Sequence, residues 1–493
     1  MNWALAALSA VLSVLLFPEW NIHLFAPVAL APLLVAAARE PSWKRRALFG
    51  ELAGFLYWLG VCNWTEWVLE HHGAMDRPLA LLALVLMCVV KGALWSLFTV
   101  LAGPIMRKPW AVPAIAALWT GIERLNSPQG FAWLTLGNAG IEMGIPLRLA
   151  PYTGVYGLSF VFAMLGAAVA VVVLRRPRFE LAPAAVLAGL FALPAIPDEW
   201  KVTEEAVALQ PNVPQSEHID ARRMALMLNQ MVASTAAVAL DPERPHPPLL
   251  LWPESPAPLY FEADAGFRQE VQRLARLAKS SFLFGTVLFT PGGAPLNSAQ
   301  MVGPEGNPVA RYDKMYLVPF GEFIPPMFGW INRITQEAGD FEPGTRFQVM
   351  SAAGHGVGAF ICYESAFPHL VRRFAEGGGE VLVNMTNDGY FGRSAARQQH
   401  LLLARMRAVE NRRWLLRPTN DGYTAAIDPA GRVRARLEPF QATAGRLGFS
   451  WIRENTLYSR YGDWFAWGCL ALGLGLYLAA LLPSKPRVPQ SRQ

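Results

Sequence analysis

Charge is scarce in this 493-residue chain: Asp, Glu, Lys and Arg make up 16% of it, against 53% hydrophobic residues and a mean hydropathy of +0.25. A purely soluble enzyme of this size carries about 25% charged residues, so that class is excluded. Cysteine is as sparse. Three of the four, Cys62, Cys88 and Cys469, lie in long apolar runs, where the residue behaves as a small inert hydrophobe. No Cys-x-x-Cys pair occurs and the eight histidines form no His-Glu-x-x-His pattern, which argues against a metal site; His71-His72 reads as an interfacial loop pair. A Gly-x-Ser-x-Gly elbow is missing, which removes the serine hydrolases. Gly377-Gly378-Gly379 lacks the lysine and spacing of a phosphate or dinucleotide loop and reads as a turn, so no cofactor is implied.

Long apolar segments are plentiful, and they are unevenly placed. A bilayer span needs about 20 mostly apolar residues. On that criterion spans are expected near 2–17, 24–38, 47–69, 79–105, 110–124, 152–174, 181–197 and 463–482. The first lacks a basic leader and is followed by Phe17-Pro18-Glu19-Trp20 rather than small residues, so it reads as a retained helix, not a signal peptide. Seventeen tryptophans fit a chain with much membrane–water interface. Positive charge clusters after alternate spans: Arg39, Lys44, Arg45 and Arg46, then Arg107 and Lys108, then Arg175, Arg176 and Arg178, then Lys485, Arg487 and Arg492. Under the positive-inside rule both termini are cytoplasmic and the long polar stretch before the last span lies outside. The net charge of +6 therefore needs no nucleic-acid partner. Three regions follow: an N-terminal membrane domain over 1–198 with about seven helices, a soluble domain over 199–460, and a last span with a cytoplasmic tail over 461–493. Glu123 and Arg124, near the end of the fifth span, are expected to form a membrane-edge ion pair.

Within the soluble region short apolar strands alternate with amphipathic stretches, the pattern of a layered α/β fold. Residues 217–239 carry Met224, Met227, Leu228 and Met231 at helical spacing. Three strand ends or loops carry chemistry. One apolar run stops at Trp252-Pro253-Glu254, a second element presents Tyr312-Asp313-Lys314, and residues 357–361 deliver Cys362-Tyr363-Glu364. A thiol with a pKa of about 8.5 needs a base or a fixed cation to attack near neutral pH. A buried glutamate accepts its proton, and an ammonium stabilises the oxyanion. Glu254, Lys314 and Cys362 are thus a self-sufficient acyl-transfer set, equally suited to hydrolysis.

Trp252-Pro253-Glu254, the run from Tyr312-Asp313-Lys314 through Leu317-Val318-Pro319-Phe320-Gly321-Glu322, and Cys362-Tyr363-Glu364 together resemble the nitrilase (carbon–nitrogen hydrolase) superfamily. The Leu317–Glu322 wording and Asn387-Asp388-Gly389-Tyr390-Phe391 are similar to its membrane branch, the apolipoprotein N-acyltransferases. The resemblance implies an extracytoplasmic αββα sandwich beside a membrane domain of about eight helices, in the bacterial cytoplasmic (inner) membrane. It implies Glu254 as base, Lys314 as oxyanion stabiliser and Cys362 as nucleophile, with the Tyr363 N–H as a second oxyanion donor. It implies a phospholipid acyl donor and a diacylated lipoprotein acceptor. Glu322 and Glu364 are expected as support, Glu364 either by an ion pair to Lys314 or as a surface carboxylate. Trp252, Asn387, Tyr390, Phe391 and Trp414 are acyl-pocket candidates. Two departures from the branch's usual wording stand at Gly389-Tyr390 and Asn420-Asp421-Gly422. A membrane-anchored amidohydrolase and a non-catalytic lipid-binding scaffold are the rival readings.

The charge pattern makes a prediction of its own. A reporter active only outside the cytoplasm is expected to be active when fused at Gly293 and silent when fused after Lys485. The reverse pattern would put the thiol on the cytoplasmic side.

Overall fold

The computed structural model describes residues 1–73, 75–126, 131–214, 220–254, 260–323 and 341–482; the basic residues Lys485, Arg487 and Arg492 lie outside the described residues. The N-terminal part is a helical bundle of α1 (Asn2–Val14), α2 (Ala31–Arg39), α3 (Trp43–Cys62), α4 (Trp64–His72), α5 (Arg77–Ile105), α6 (Ala111–Arg124) and α7 (Val155–Val173). Further on come α8 (Ala221–Ala239), α9 (Ala265–Ala278), α10 (Pro368–Glu376) and α11 (Ala396–Asn411), and α12 (Trp464–Leu481) returns to the bundle. Small residues let these helices approach. A side chain at Gly50 or Gly54 of α3 would meet Trp95 and Gly92 of α5 at under 3 Å, and one at Gly121 of α6 or Gly473 of α12 would meet the backbone of Leu470 or Leu118 on the facing helix.

Among the described helices, α5, α7 and α12 are long and apolar enough to cross a bilayer, with 29, 19 and 18 residues and mean hydropathies of 2.2, 2.2 and 1.7. The other expected spans differ for physical reasons. With 13 and 14 residues, α1 and α6 extend only about 20 Å at 1.5 Å per residue, short of a hydrocarbon core of about 30 Å. The expected seventh span, 181–197, is not α-helical: a 3-10 helix covers Arg178–Ala192 and irregular chain follows. Pro183, Pro194 and Pro197 each lack the N–H an α-helix needs there. The expected Glu123–Arg124 pair is also absent. Adjacent helical residues point about 100° apart, so Arg124 Nε instead meets Asp463 Oδ2 at 2.5 Å while Glu123 Oε1 accepts from Leu136 N at 2.6 Å.

The α/β part holds two six-stranded sheets. One contains β1 (Glu204–Gln210), β2 (Leu249–Leu251), β3 (Ser281–Phe289), β4 (Pro295–Val302) and β5 (Pro308–Asp313). The other contains β6 (Met350–Ala352), β7 (His355–Ile361), β8 (Val381–Met385), β9 (Leu415–Arg417), β10 (Ala425–Ile427) and β11 (Val433–Arg436); β12 (Thr443–Phe449) crosses back to pair with β1. The orders β12-β1-β2-β3-β4-β5 and β6-β7-β8-β9-β10-β11 share one pairing sequence: antiparallel, parallel, parallel, antiparallel, antiparallel. Leu249, Leu251, Met301 and Tyr312 of the first sheet share one apolar core with Val357, Phe360 and Val383 of the second. Strand alternation sends Val207, Leu209, Leu250, Phe282 and Phe284 the other way, against α8 and α9. The result is an αββα sandwich.

One amide of helix α11 makes four of the hydrogen bonds that dock the sandwich on the bundle. Gln399 Nε2 donates to the Pro18 and Val61 carbonyls, both at 3.0 Å, and Oε1 accepts from the indole nitrogens of Trp64 at 3.2 Å and Trp133 at 2.7 Å. Every hydrogen-bonding position of this buried amide is used. Gln399→Leu strands two carbonyls and two indoles, at about 1–3 kcal/mol for each buried group left unpaired. It is expected to lower the thermal midpoint in detergent by several degrees, whereas the exposed Gln398→Ala is near neutral. Equal midpoints would remove Gln399 as a docking contact.

Candidate active site

The chemistry-bearing residues leave their strands at one edge of the sandwich. Glu254 follows β2, Lys314 follows β5, Cys362 follows β7 and Asn387 follows β8. Parallel neighbours in each sheet put successive strand ends side by side, so loops far apart in sequence converge.

Lys314 is buried, and its ammonium lies 3.0 Å from Glu254 Oε1 and 2.9 Å from Glu322 Oε1. Asn297 Nδ2, from β4, donates to the same two oxygens at 2.8 and 2.6 Å. The remaining oxygens are held by backbone: Asn387 N donates to Glu254 Oε2 at 3.0 Å, and Val318 N donates to Glu322 Oε2 at 2.7 Å. Burial alone would lower the Lys314 pKa, but the Glu254 and Glu322 carboxylates more than offset it and hold the ammonium well above its ordinary value.

Cys362 sits at the tip of a strand-to-helical turn with φ +50°, in the left-handed region that non-glycine residues rarely occupy. Burial pushes its thiol well above the ordinary value, Glu254 adds to this and Lys314 opposes it. At rest the thiol is therefore protonated, with a carboxylate and a cation close enough to act on it. Its carbonyl accepts from Asn384 Nδ2 at 3.3 Å and His400 Nε2 at 3.0 Å.

The structure revises both expectations for Glu364. It is fully buried rather than on the surface, and it makes no described ion pair with Lys314. Instead Oε1 accepts from the Tyr312 hydroxyl and Met315 N, each at 2.7 Å, and from Tyr316 N at 3.3 Å, while Oε2 accepts from Ile361 N at 2.8 Å. One carboxylate thereby ties the segment after Lys314 to the strand end before Cys362. Burial pushes its pKa up to about 7 against these bonds. The ion pair expected of Glu364 is made by Glu322.

The aromatic candidates divide. Phe391 packs edge-on against Trp64, Trp133 and His400, at 5.1, 6.1 and 5.6 Å between ring centres. Tyr390 is exposed and meets His72 edge-on, at 4.9 Å between ring centres. Tyr363 turns its side chain to the bundle, stacking with Phe131 and Trp133 and accepting Ala132 N at its hydroxyl. Trp252 and Trp414 are corrections. Trp252 faces α8 and α9, bonded to Thr235 Oγ1 at 2.9 Å, because its position continues the outward alternation of β2. Trp414 is buried in the sandwich core at the start of β9, two strands from β7. Of the unusual Asn420-Asp421-Gly422, Asn420 Nδ2 donates to Asn387 Oδ1 at 3.2 Å and Asp421 pairs with Arg397.

Residues that sequence reasoning missed include Asn297, His400 and Arg417. Asn297 had no distinguishing signal, since the same strand also carries Ser298 and a second amide, Gln300. His400 and Arg417 had none, since their partners lie 38 and 29 residues away.

Two family models match the chain: the apolipoprotein N-acyltransferase N-terminal domain over residues 9–168 and carbon-nitrogen hydrolase over 222–444. It is 32% identical to the apolipoprotein N-acyltransferase of Geobacter metallireducens, covering 95% of this chain and 93% of the relative. With that of Nitrosomonas europaea the identity is 33%, over 91% and 93%. Among solved structures, an amidase from Nesterenkonia sp. aligns with a TM-score of 0.39 and 18% identity, over 54% of this chain and 96% of that one.

A raised thiol pKa has a direct consequence. Alkylation of Cys362 by iodoacetamide in the substrate-free protein is expected to be slow at neutral pH and to keep rising as pH climbs past the ordinary thiol range. A plateau already reached at neutral pH would mean a thiolate preformed at rest.

Proposed function

The chain belongs to the apolipoprotein N-acyltransferase family, and we propose that Glu254, Lys314 and Cys362 carry its acyl transfer. The observation that bears most weight is the buried Glu254–Lys314 contact beside a thiol held at a left-handed turn. Glu254 takes the Cys362 proton, and the thiolate attacks the ester carbonyl of a phospholipid. Lys314 stabilises the tetrahedral oxyanion. The ester C–O bond breaks, Glu254 returns the proton to the departing lysophospholipid hydroxyl, and Cys362 holds a thioester. The N-terminal amine of a diacylglyceryl-cysteine then attacks this carbonyl and Glu254 accepts its proton. The C–S bond breaks, the amide forms, and Cys362 recovers a proton from Glu254. The cycle is ping-pong. Glu322 and Asn297 fix Lys314 and Glu254, and Tyr390, Phe391 and Asn387 border the acyl path.

Placement at the membrane completes the reading. A lipid donor and a lipidated acceptor must both be met at the bilayer, which gives the apolar helices a purpose a soluble amidase lacks. The alternating basic clusters support both termini in the cytoplasm and a catalytic region over 199–460 on the outer face, between a membrane domain at 1–198 and the last span at 461–493.

Intact-mass spectrometry tests this. Phospholipid vesicles are expected to add one acyl group to the wild-type protein at Cys362, and a diacylated lipopeptide to discharge it onto the peptide amine. Cys362→Ala should do neither, and Glu254→Gln or Lys314→Met should slow acylation by about 10²-fold or more. Release of free fatty acid with no acylated peptide would instead support the amidohydrolase reading, and an unmodified wild type would support the scaffold.

A further inference from the structure

The Cys362 turn has a support that the acyl-transfer cycle does not use. His400, from α11, is fully buried, and its Nε2 lies 3.0 Å from the Cys362 carbonyl oxygen. A carbonyl can only accept, so Nε2 carries the hydrogen. The other ring nitrogen, Nδ1, is held between Asp388 Oδ1 at 2.9 Å and Arg417 Nη2 at 3.1 Å. Arg417 in turn grips Asp388 through Nη1 at 3.1 Å and through Nη2 at 3.0 and 3.1 Å, and both residues are fully buried. The ring faces are covered too: Trp133 stacks on His400 at 6.0 Å and Phe391 meets it edge-on. The hydrogen bond of His400 toward the chemistry is made to the backbone of the nucleophile.

That backbone needs holding. A non-glycine residue in the left-handed region is strained by about 1–3 kcal/mol and stays there only when its surroundings fix it. The Ile361 N–H to Glu364 bond fixes the turn from one side; Asn384 and His400 fix the Cys362 carbonyl from the other. We propose that His400, oriented by Asp388 and Arg417, is a positioning residue that holds the Cys362 carbonyl and so aims the thiol at Glu254 and the ester carbonyl. The inference rests on Cys362 as nucleophile. Misplacing a reacting atom by about 1 Å costs on the order of 10²-fold in rate without a matching loss of substrate binding.

The test uses the full-length protein in detergent. His400→Leu removes the donor. His400→Gln places an amide N–H close to where Nε2 stood. His400→Asn reaches only the Nδ1 position, so it keeps the contact with Asp388 and Arg417 but leaves the carbonyl without this donor. The expected result is a drop in kcat of about 10–100-fold for Leu and Asn with KM little changed, slower alkylation of Cys362 at fixed alkaline pH in the same variants, and recovery of about tenfold in both readouts with Gln. If Leu does not accumulate, the Gln-against-Asn comparison decides alone. Equal kcat and equal alkylation rates for Gln and Asn, or losses that follow thermal midpoint instead of the restored donor, would overturn the proposal. Cys362→Ala run alongside separates the two readings: an active Cys362→Ala refutes the nucleophile itself, whereas an inactive one with unimpaired His400 variants refutes only the positioning role.

Discussion

The site depends on one buried ammonium. Taking Lys314 out of water costs several kcal/mol, and only close, well-satisfied counter-charges recover it. The chain supplies two carboxylates in matching fashion: in Glu254 and in Glu322, Oε1 receives both Lys314 and Asn297, and Oε2 receives a backbone N–H. Such a cluster is poor value as a stabiliser, since an apolar group of the same size often serves as well. It makes sense as preorganised chemistry. In the proposed cycle the cation is already in place when the oxyanion forms, and no solvent has to reorganise around it. Burial is the main reason the neighbouring thiol's pKa stands above its ordinary value, and the Glu254 and Glu322 charges add to it while Lys314 opposes them.

Holding that charge set still would achieve little if the sulfur moved. Cys362 sits in a conformation its side chain disfavours, and the surrounding structure over-determines it. Glu364 does this most economically. Because a carboxylate has two oxygens and several lone pairs, a single side chain receives the strand end before Cys362 and the segment after Lys314 together. The distance between cation and nucleophile is thereby set by a residue that touches neither reacting atom. Three carboxylates near one thiol thus differ in what they hold: Glu254 and Glu322 meet the Lys314 ammonium, and Glu364 ties two backbone segments together.

Much of this was legible in the sequence, and the reasons for the exceptions are physical. Apolar runs stopping at Glu254 and Cys362 mark strand ends because a buried strand cannot continue through ionisable residues, and β2 and β7 end there. Residues 217–239 read as a helix by their methionine and leucine spacing, and α8 covers Ala221–Ala239. Side-chain direction was not legible. Trp252 lies two residues from Glu254, yet alternation turns it toward α8 and α9. The 181–197 segment has the hydrophobicity of a span but not the backbone, because hydropathy does not register three prolines. Gln399, His400 and Arg417 were invisible for a different reason. Their partners come from elements up to 381 residues away, and no local pattern encodes such a contact.

Adjacency on α11 joins these arguments to the membrane. Consecutive residues of a helix point about 100° apart, so neighbours face different surroundings. Gln399 faces the bundle and closes four hydrogen bonds with it; His400 faces the sandwich and holds the Cys362 carbonyl. Tyr363, next to the nucleophile, makes a third tie by stacking with Phe131 and Trp133. The turn that carries the thiol is thus mounted on the bundle as firmly as on its own sheet. A soluble hydrolase has no need of such a mount, because its substrate diffuses into the site in any orientation. A lipid ester is confined by the bilayer to a narrow depth, and the thiol must be held at a matching height. Rigid docking meets that demand through geometry alone, so the interface between bundle and sandwich belongs to the active site as much as to the fold.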